Sequence, residues 1–270
     1  MREDAQPSNL LEKGLIYFFT RGRVGVEDPS SPQDLARSYF VLRPLAPGAK
    51  LSDGAVQDVS NNRLIALPKK VWPKSGRDRF MCFVEKANVG MDLLKEEFFA
   101  GSDYETKTVG TRHSPAVTPV GEGVYAITTT GGGQGTTHLS YMLTIPTELG
   151  EVQTDVGLAE KGAFVLSLKN PEAKGPANAT LPHKAAFSKE IQEAFEGRGW
   201  MPAKPEHFAY ENAQVLLIGE KFEKSVEGTK EDEQSKEKET PAEELEKLEH
   251  EDDLRVEHLA GMCDTGEARV

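Results

Sequence analysis

The stretch Gly123-Val-Tyr-Ala-Ile-Thr-Thr-Thr130, Gly131-Gly-Gly-Gln-Gly135, Thr136-Thr-His-Leu-Ser-Tyr-Met-Leu-Thr-Ile-Pro146 decides how the rest of the chain reads. After a connector it continues as Gly162-Ala-Phe-Val-Leu-Ser-Leu-Lys-Asn170. Side chains alternate faces along a strand, so period-two hydrophobicity marks one buried and one mixed face. In the return strand Leu139, Tyr141, Leu143 and Ile145 form the apolar face, opposed by His138, Ser140, Met142 and Thr144. In the first strand Tyr125 and Ile127 oppose Val124, Ala126 and Thr128. This is the pattern of an antiparallel meander with one face on a core. The glycine-rich link joins two strands and has no helix N-terminus behind it, so it reads as a hairpin turn and not as a phosphate cradle.

Further strands are expected at Gly14–Thr20, Ser38–Arg43, Arg63–Leu67, Arg79–Glu85, Tyr104–Val109 and Ala213–Ile218, several of them closed by proline. Ser31-Pro32-Gln33-Asp34 places proline at a first helical position and predicts a short helix. Met91, Leu94 and Phe98 recur at helical spacing within Gly90–Phe99, and Ser188–Phe195 forms another short helix stopped by Gly197 and Gly199. No helix long enough for a parallel crossover lies between successive strands. The expected fold class is therefore α+β and β-rich. Mostly antiparallel strands would form a partly closed barrel or a two-sheet sandwich, with two or three short helices.

The domain would span residues 10–220, after a flexible 1–9, and an acidic tail would follow over 221–270. That tail carries 17 acidic and 8 basic residues, a net −9 of the whole chain's −12, and leaves residues 1–220 at −3. Hydrophobic residues make up 37% of the chain, and the shortfall is concentrated in the tail. Glu223–Glu239 is nearly devoid of apolar side chains and reads as disordered. Thr240-Pro241-Ala242-Glu243 starts a helix with a capping box, and a helix is expected near 241–260, either solvated or used to bind a protein partner. On that reading the tail is dispensable for folding. Cys82 and Cys263 have no pairing or metal spacing, which fits a reducing compartment. No apolar run approaches a membrane span, and Met1–Asn9 has no signal-peptide core, so a cytoplasmic or nuclear location without secretion is expected. The sequon Asn178-Ala179-Thr180 is then not glycosylated.

Functional candidates are few. No serine nucleophile elbow, His-Glu-x-x-His or paired-cysteine motif occurs, so neither a metal nor a cofactor is expected. His138, with Glu122 from the same hairpin, could serve acid–base chemistry if a pocket formed around it. Arg37, Arg43, Glu151, Gln153, Lys169 and Asn170 could line a barrel mouth and bind a small anion or metabolite. Lys69, Lys70, Lys74, Arg77 and Arg79 surround Trp72 and could contact a nucleic acid through phosphates and a stacked indole. The net charge of −12 opposes that partner. On the assigned faces, Leu143→Ala should be costly and His138→Gln nearly neutral for folding.

Several runs resemble a fungal protein family commonly labelled "BTB domain transcription factor". They are Glu12–Gly25, Ala36–Pro44, Asn62–Lys70, Tyr104–His113, Gly121–Ile127, His138–Gln153, Ser167–Pro171, Tyr210–Gly219 and Glu246–Leu259. The resemblance implies a nuclear, transcription-related role. It implies no BTB fold, because the helical run and motifs of that helix-rich dimerisation domain do not occur here, and it supplies no catalytic residues. Three readings follow. They are a β domain binding a small ligand or a protein without catalysis, a nuclear regulatory protein, and an enzyme built around His138.

Overall fold

The computed structural model describes residues 9–26, 28–46, 48–51, 56–106, 110–130, 135–173, 181–226 and 240–253. The glycine turn at 131–134, the sequon, the acidic run 227–239, Cys263 and the chain beyond 253 lie outside the described residues. The strands are β1 (Leu10–Gly22), β2 (Leu35–Pro44), β3 (Asn62–Leu67), β4 (Arg79–Val89), β5 (Ser102–Thr106), β6 (Gly110–Ser114), β7 (Val117–Thr129), β8 (Thr137–Ile145), β9 (Lys161–Lys169), β10 (Trp200–Pro202) and β11 (Gln214–Glu220). Eight of them pair in the order β9-β11-β4-β3-β2-β1-β7-β8, and β8 pairs back onto β9. Every ladder is antiparallel, so the sheet closes into an eight-stranded barrel. β10 extends β9 beyond the point where β8 leaves it, and β5–β6 form a separate hairpin.

The expected alternation is what fills the barrel. Tyr125, Ile127, Leu139, Tyr141 and Leu143 point inward with Ile16, Phe18, Phe40, Phe164 and Leu166. An eight-stranded barrel is just wide enough for side chains to fill it. Here they do so with aromatic rings. Phe18 lies 4.9 Å from Tyr141, 5.4 Å edge-on from Trp72 and 6.3 Å from Phe40, and Tyr141 reaches Phe164 at 5.7 Å. Trp72, from the β3–β4 connection, seals one end. At the other end Glu12 accepts 2.7 Å hydrogen bonds from both Arg63 and the Tyr125 hydroxyl. Two glycines are steric requirements of this closure. A Cβ at Gly123 would stand 2.0 Å from the Met142 carbonyl, and one at Gly162 would stand 2.4 Å from the Tyr141 ring that packs across it.

A second apolar layer covers part of the outer wall. Leu15, Tyr17, Phe19, Tyr39, Val41, Val124 and Met142 face outward. Helix α1 (Met91–Leu94) and a π-type turn (Lys95–Phe99) press Met91, Leu94, Phe98 and Phe99 onto them. The remaining helices are α2 (Glu151–Val156), α3 (Lys189–Ala194), α4 (Phe222–Ser225) and α5 (Pro241–Asp253).

Helix α5 corrects the reading of the tail helix as solvated. Its capping box forms as read from the sequence, with Glu243 accepting from the Thr240 amide at 2.8 Å. Its apolar positions, however, are taken up by the chain itself. Leu245 and Leu248 are 0% and 1% exposed in the outer layer and are not presented to a partner. Glu244 pairs with Lys13, and Asp252 accepts from Thr144 at 2.7 Å. The Ser225 hydroxyl from α4 accepts from Ser140 at 2.7 Å. The mixed face of β8 is therefore a floor for the tail helices.

Two outcomes are expected. Leu143→Ala, which truncates an inward side chain, should cost about 2–5 kcal/mol in chemical denaturation. Each docked leucine contributes about 1.5–3 kcal/mol by burial. A chain ending at Val226 should therefore melt on the order of 10 °C below the full chain in calorimetry. An unchanged melting temperature would show that α5 does not hold to the barrel.

Candidate functional site: two cavities outside a filled barrel

Because the interior is occupied by side chains, any binding site must be sought outside it. The candidate mouth residues do not converge. Arg43 and Glu122 are buried in the outer wall, and Arg43 donates to the Val56 carbonyl. Arg37 stands beside Glu85, whose carboxyl is pushed up by burial and pulled back by the charges of Arg37 and Arg21. Gln153 is used locally in α2, donating to the Val120 carbonyl at 2.9 Å and accepting from the Gly150 amide at 3.1 Å. Glu151 is exposed beside it. These α2 residues sit at the end of the barrel opposite Lys169 and Asn170, since β9 runs away from α2 along its whole length.

His138 is 2% exposed and lies outside the cavities that border α3, Lys169 and the proline-rich end of the barrel. Its Nδ1 meets Glu220 Oε2 at 2.5 Å across β9, and its Nε2 lies 3.4 Å from the Thr130 hydroxyl. Glu220 also holds Lys224 at 3.1 Å. A buried, fully engaged pair of this kind is a structural cross-link. His138→Gln is therefore expected to cost stability, contrary to the near-neutral expectation, because it removes one of the two partners of the buried Glu220 carboxylate.

The basic stretch is likewise spent on structure. Trp72 is 1% exposed inside the barrel and presents no face to a base. Lys70 donates to the Gln33 carbonyl, Lys74 to the Thr154 carbonyl at 2.9 Å, and Lys69 lies 5.7 Å above the Phe80 ring. Arg77 and Arg79 remain exposed.

The concave surface is built by residues 170–173 and 181–213, where the chain leaves β9 and returns to β11. Ser188 caps α3 by accepting from the Ile191 amide at 3.4 Å, and left-handed Glu196 and Gly197 end it. Phe187 packs 6.4 Å from Phe195, 5.2 Å from Tyr210 and 6.3 Å from His207. A cleft of about 750 Å³ opens between α3, β10 and the 3₁₀ turn Pro205–Ala209. Ile191 and Met201 give it an apolar floor, Ala194 stands exposed on its wall, and Arg198 and Lys204 are balanced by Glu190 and Glu206 around it. A second cavity, of about 380 Å³, lies toward Lys169 and includes Phe187 in its wall. A third, of about 470 Å³, lies among prolines and valines at the far end of the barrel.

His207 is the residue of this region that sequence reading passed over. It is buried, and its Nδ1 accepts the Lys204 amide at 2.9 Å, which assigns the proton to Nε2. Nε2 stands 3.7 Å from Glu206 on the cleft wall. Burial first, and the Lys204 charge second, push its pKa down to about 4. The imidazole is thus a neutral hydrogen-bond donor throughout the physiological range.

Among the described residues no group of three or more His, Cys, Asp or Glu could hold a metal ion, and no helix is long and apolar enough to cross a membrane. The fold and cleft define a class, an antiparallel eight-stranded barrel with a packed interior and external cavities. Neither a family model, nor a curated protein, nor a solved structure matches the chain.

The depressed pKa of His207 makes a pH prediction. The unfolded chain protonates near the ordinary 6.5, and the folded one resists until about 4. Stability contributed by neutral His207 is therefore complete above pH 6.5 and is lost as pH falls from 6.5 toward 4. Comparing denaturation of the wild type and His207→Gln, the variant should lack on the order of 2–3 kcal/mol of that acid-side decline. Parallel curves across the window would contradict the assignment.

Proposed function

We propose that the protein is a non-catalytic domain that binds an uncharged, partly apolar small molecule in the cleft between α3 and the 205–209 turn. The observation that carries this reading is the fixed neutral donor, His207 Nε2–H, in the wall of a cleft with an apolar floor. Such pockets bury an apolar body and orient it with a few placed polar groups, and 750 Å³ lies within their usual range. The two cations and two carboxylates of the lining balance, which favours an uncharged ligand over an ion. Asn88 and Tyr210 add further polar positions on the same wall. A non-catalytic role fits the way His138 is committed to Glu220 beneath the surface. The free, buried Cys82, whose thiol burial pushes well up, fits a reducing cytoplasmic or nuclear environment. A regulatory role, as the label of the resembling family implies, would use the same cleft as its sensor.

The test is ligand-observed NMR against a panel of uncharged aromatic amides and lactams. Ala194 is exposed on the cleft wall, so Ala194→Trp fills the cleft while leaving the core untouched. Compounds that bind the wild type should lose their signal with Ala194→Trp. His207→Phe should weaken them about five- to tenfold, the worth of one neutral hydrogen bond. Binding that persists unchanged in Ala194→Trp would place the site elsewhere and sink the reading.

A further inference from the structure

Lys169 ends β9 on the outer wall of the barrel and is only 8% exposed. Its ammonium donates to Gln214 Oε1 at 2.9 Å, a neutral acceptor on the adjacent strand. Among the described residues no carboxylate reaches it within ion-pair distance, and the intervening 174–180 segment, Lys-Gly-Pro-Ala-Asn-Ala-Thr, contains none. Burying an ammonium without a counter-charge is costly, and proteins ordinarily pair such a group or keep it in water. Lys169 instead borders the 380 Å³ cavity. Glu172 is the one carboxylate of that lining, and it is held by Lys184 at 3.0 Å. The lining therefore carries one positive charge in excess.

We propose that this cavity is a binding site for an organic monocarboxylate with a short apolar body. The carboxylate would sit against Lys169, where it supplies the missing counter-charge. Asn212, whose side-chain amide has no partner among the described residues, could donate to its second oxygen. Leu181, Ala185 and Phe187 offer the apolar body a surface. A single excess charge favours a monoanion over phosphate, which would bring a second negative charge. This inference concerns a different cavity and a different ligand charge from the cleft above, and it stands whether or not that cleft is occupied.

The experiment is calorimetric or NMR titration of the full chain with hexanoate, with hexanamide and with inorganic phosphate. Hexanoate should saturate at millimolar concentration or below, and hexanamide and phosphate should not. Lys169→Met should weaken hexanoate about ten- to a hundredfold, the worth of a hydrogen bond to a charged group. Without ligand the same variant should melt at or above the wild-type temperature, because an unpaired buried charge is replaced by an apolar chain of similar length. Should Lys169→Met not fold, Leu181→Trp, which fills the cavity, must abolish hexanoate binding. Ala194→Trp must leave it unchanged, which separates failure here from failure of the cleft. Hexanamide or phosphate binding as well as hexanoate overturns the proposal. So does undiminished hexanoate binding by Lys169→Met or Leu181→Trp, or no hexanoate binding at all.

Discussion

The ring of Phe18 is the contact on which the barrel depends. It lies on β1, yet it touches Phe40 of β2, Tyr141 of β8 and Trp72 from the β3–β4 connection. Tilted and edge-on arrangements at these separations are the favourable ones for aromatic quadrupoles. One side chain thereby ties together strands that are remote in sequence, and closure of the sheet follows from the need to bury these rings on all sides. The glycines at 123 and 162 are consequences of it. Where an aromatic side chain or a backbone carbonyl comes this close, no Cβ has room.

A closed barrel has an outside as well as an inside, and this one leaves much of its outside apolar. Leu15, Tyr17 and Phe19 alternate with the inward Ile16 and Phe18, so both faces of β1 demand cover. The π-type turn answers on one side by burying two consecutive phenylalanines. On the other, α5 reconciles an acidic composition with docking, because Leu245 and Leu248 lie one turn apart on the same face. Its two buried acids are each partnered, Glu244 by Lys13 and Asp252 by Thr144. A third acid, Glu251, accepts from the Leu51 amide at 2.8 Å, while Glu243, Glu246 and Asp253 are exposed.

How much of this was legible in the sequence depends on the distance over which each decision is made. The faces of β8 were legible, since period-two alternation is local and Leu139, Tyr141 and Leu143 do point inward. The run Leu15–Phe19 was recognisable as a strand, but its lack of alternation could not say that two separate layers would cover it. Closure itself was not legible. It requires β9 to pair with β8 on one edge and with β11 on the other, and a register between distant strands leaves no local trace. Composition misjudged α5, because a helix with two well-placed leucines among many charges reads as solvated until its receptor is known. The mouth residues do not converge for a geometric reason, as Glu151 and Gln153 precede β9 and Lys169 and Asn170 end it, so the length of one strand divides them between opposite ends of the barrel. Lys169 was legible as a polar residue closing an apolar strand, but the absence of a counter-charge is a property of the folded neighbourhood. His207 carried no motif. The only hint was its place among Phe187, Phe195 and Tyr210 in a proline-bearing segment.

The position of the two cavities follows from what it would take to put them anywhere else. To open the interior, large side chains such as Phe18, Tyr141 or Phe164 would have to become small. Each such exchange costs about 3–5 kcal/mol, and the loss would fall on the contacts that close the sheet. A closed barrel also offers no free strand edge along most of its circumference, so recognition by strand addition has little to work with. Lengthening a connection is far less demanding, since doubling a flexible loop adds only about 0.6 kcal/mol of closure entropy. Residues 170–213 are such a lengthened connection, joining two strands that are direct neighbours in the sheet. Their described part packs through Phe187 onto the barrel's core cluster and forms an annex, with one cavity of balanced charge and one with a positive excess. The barrel carries the stability, and lining positions outside its core cluster, such as Ala194 and Leu181, can vary without disturbing an inward-facing residue.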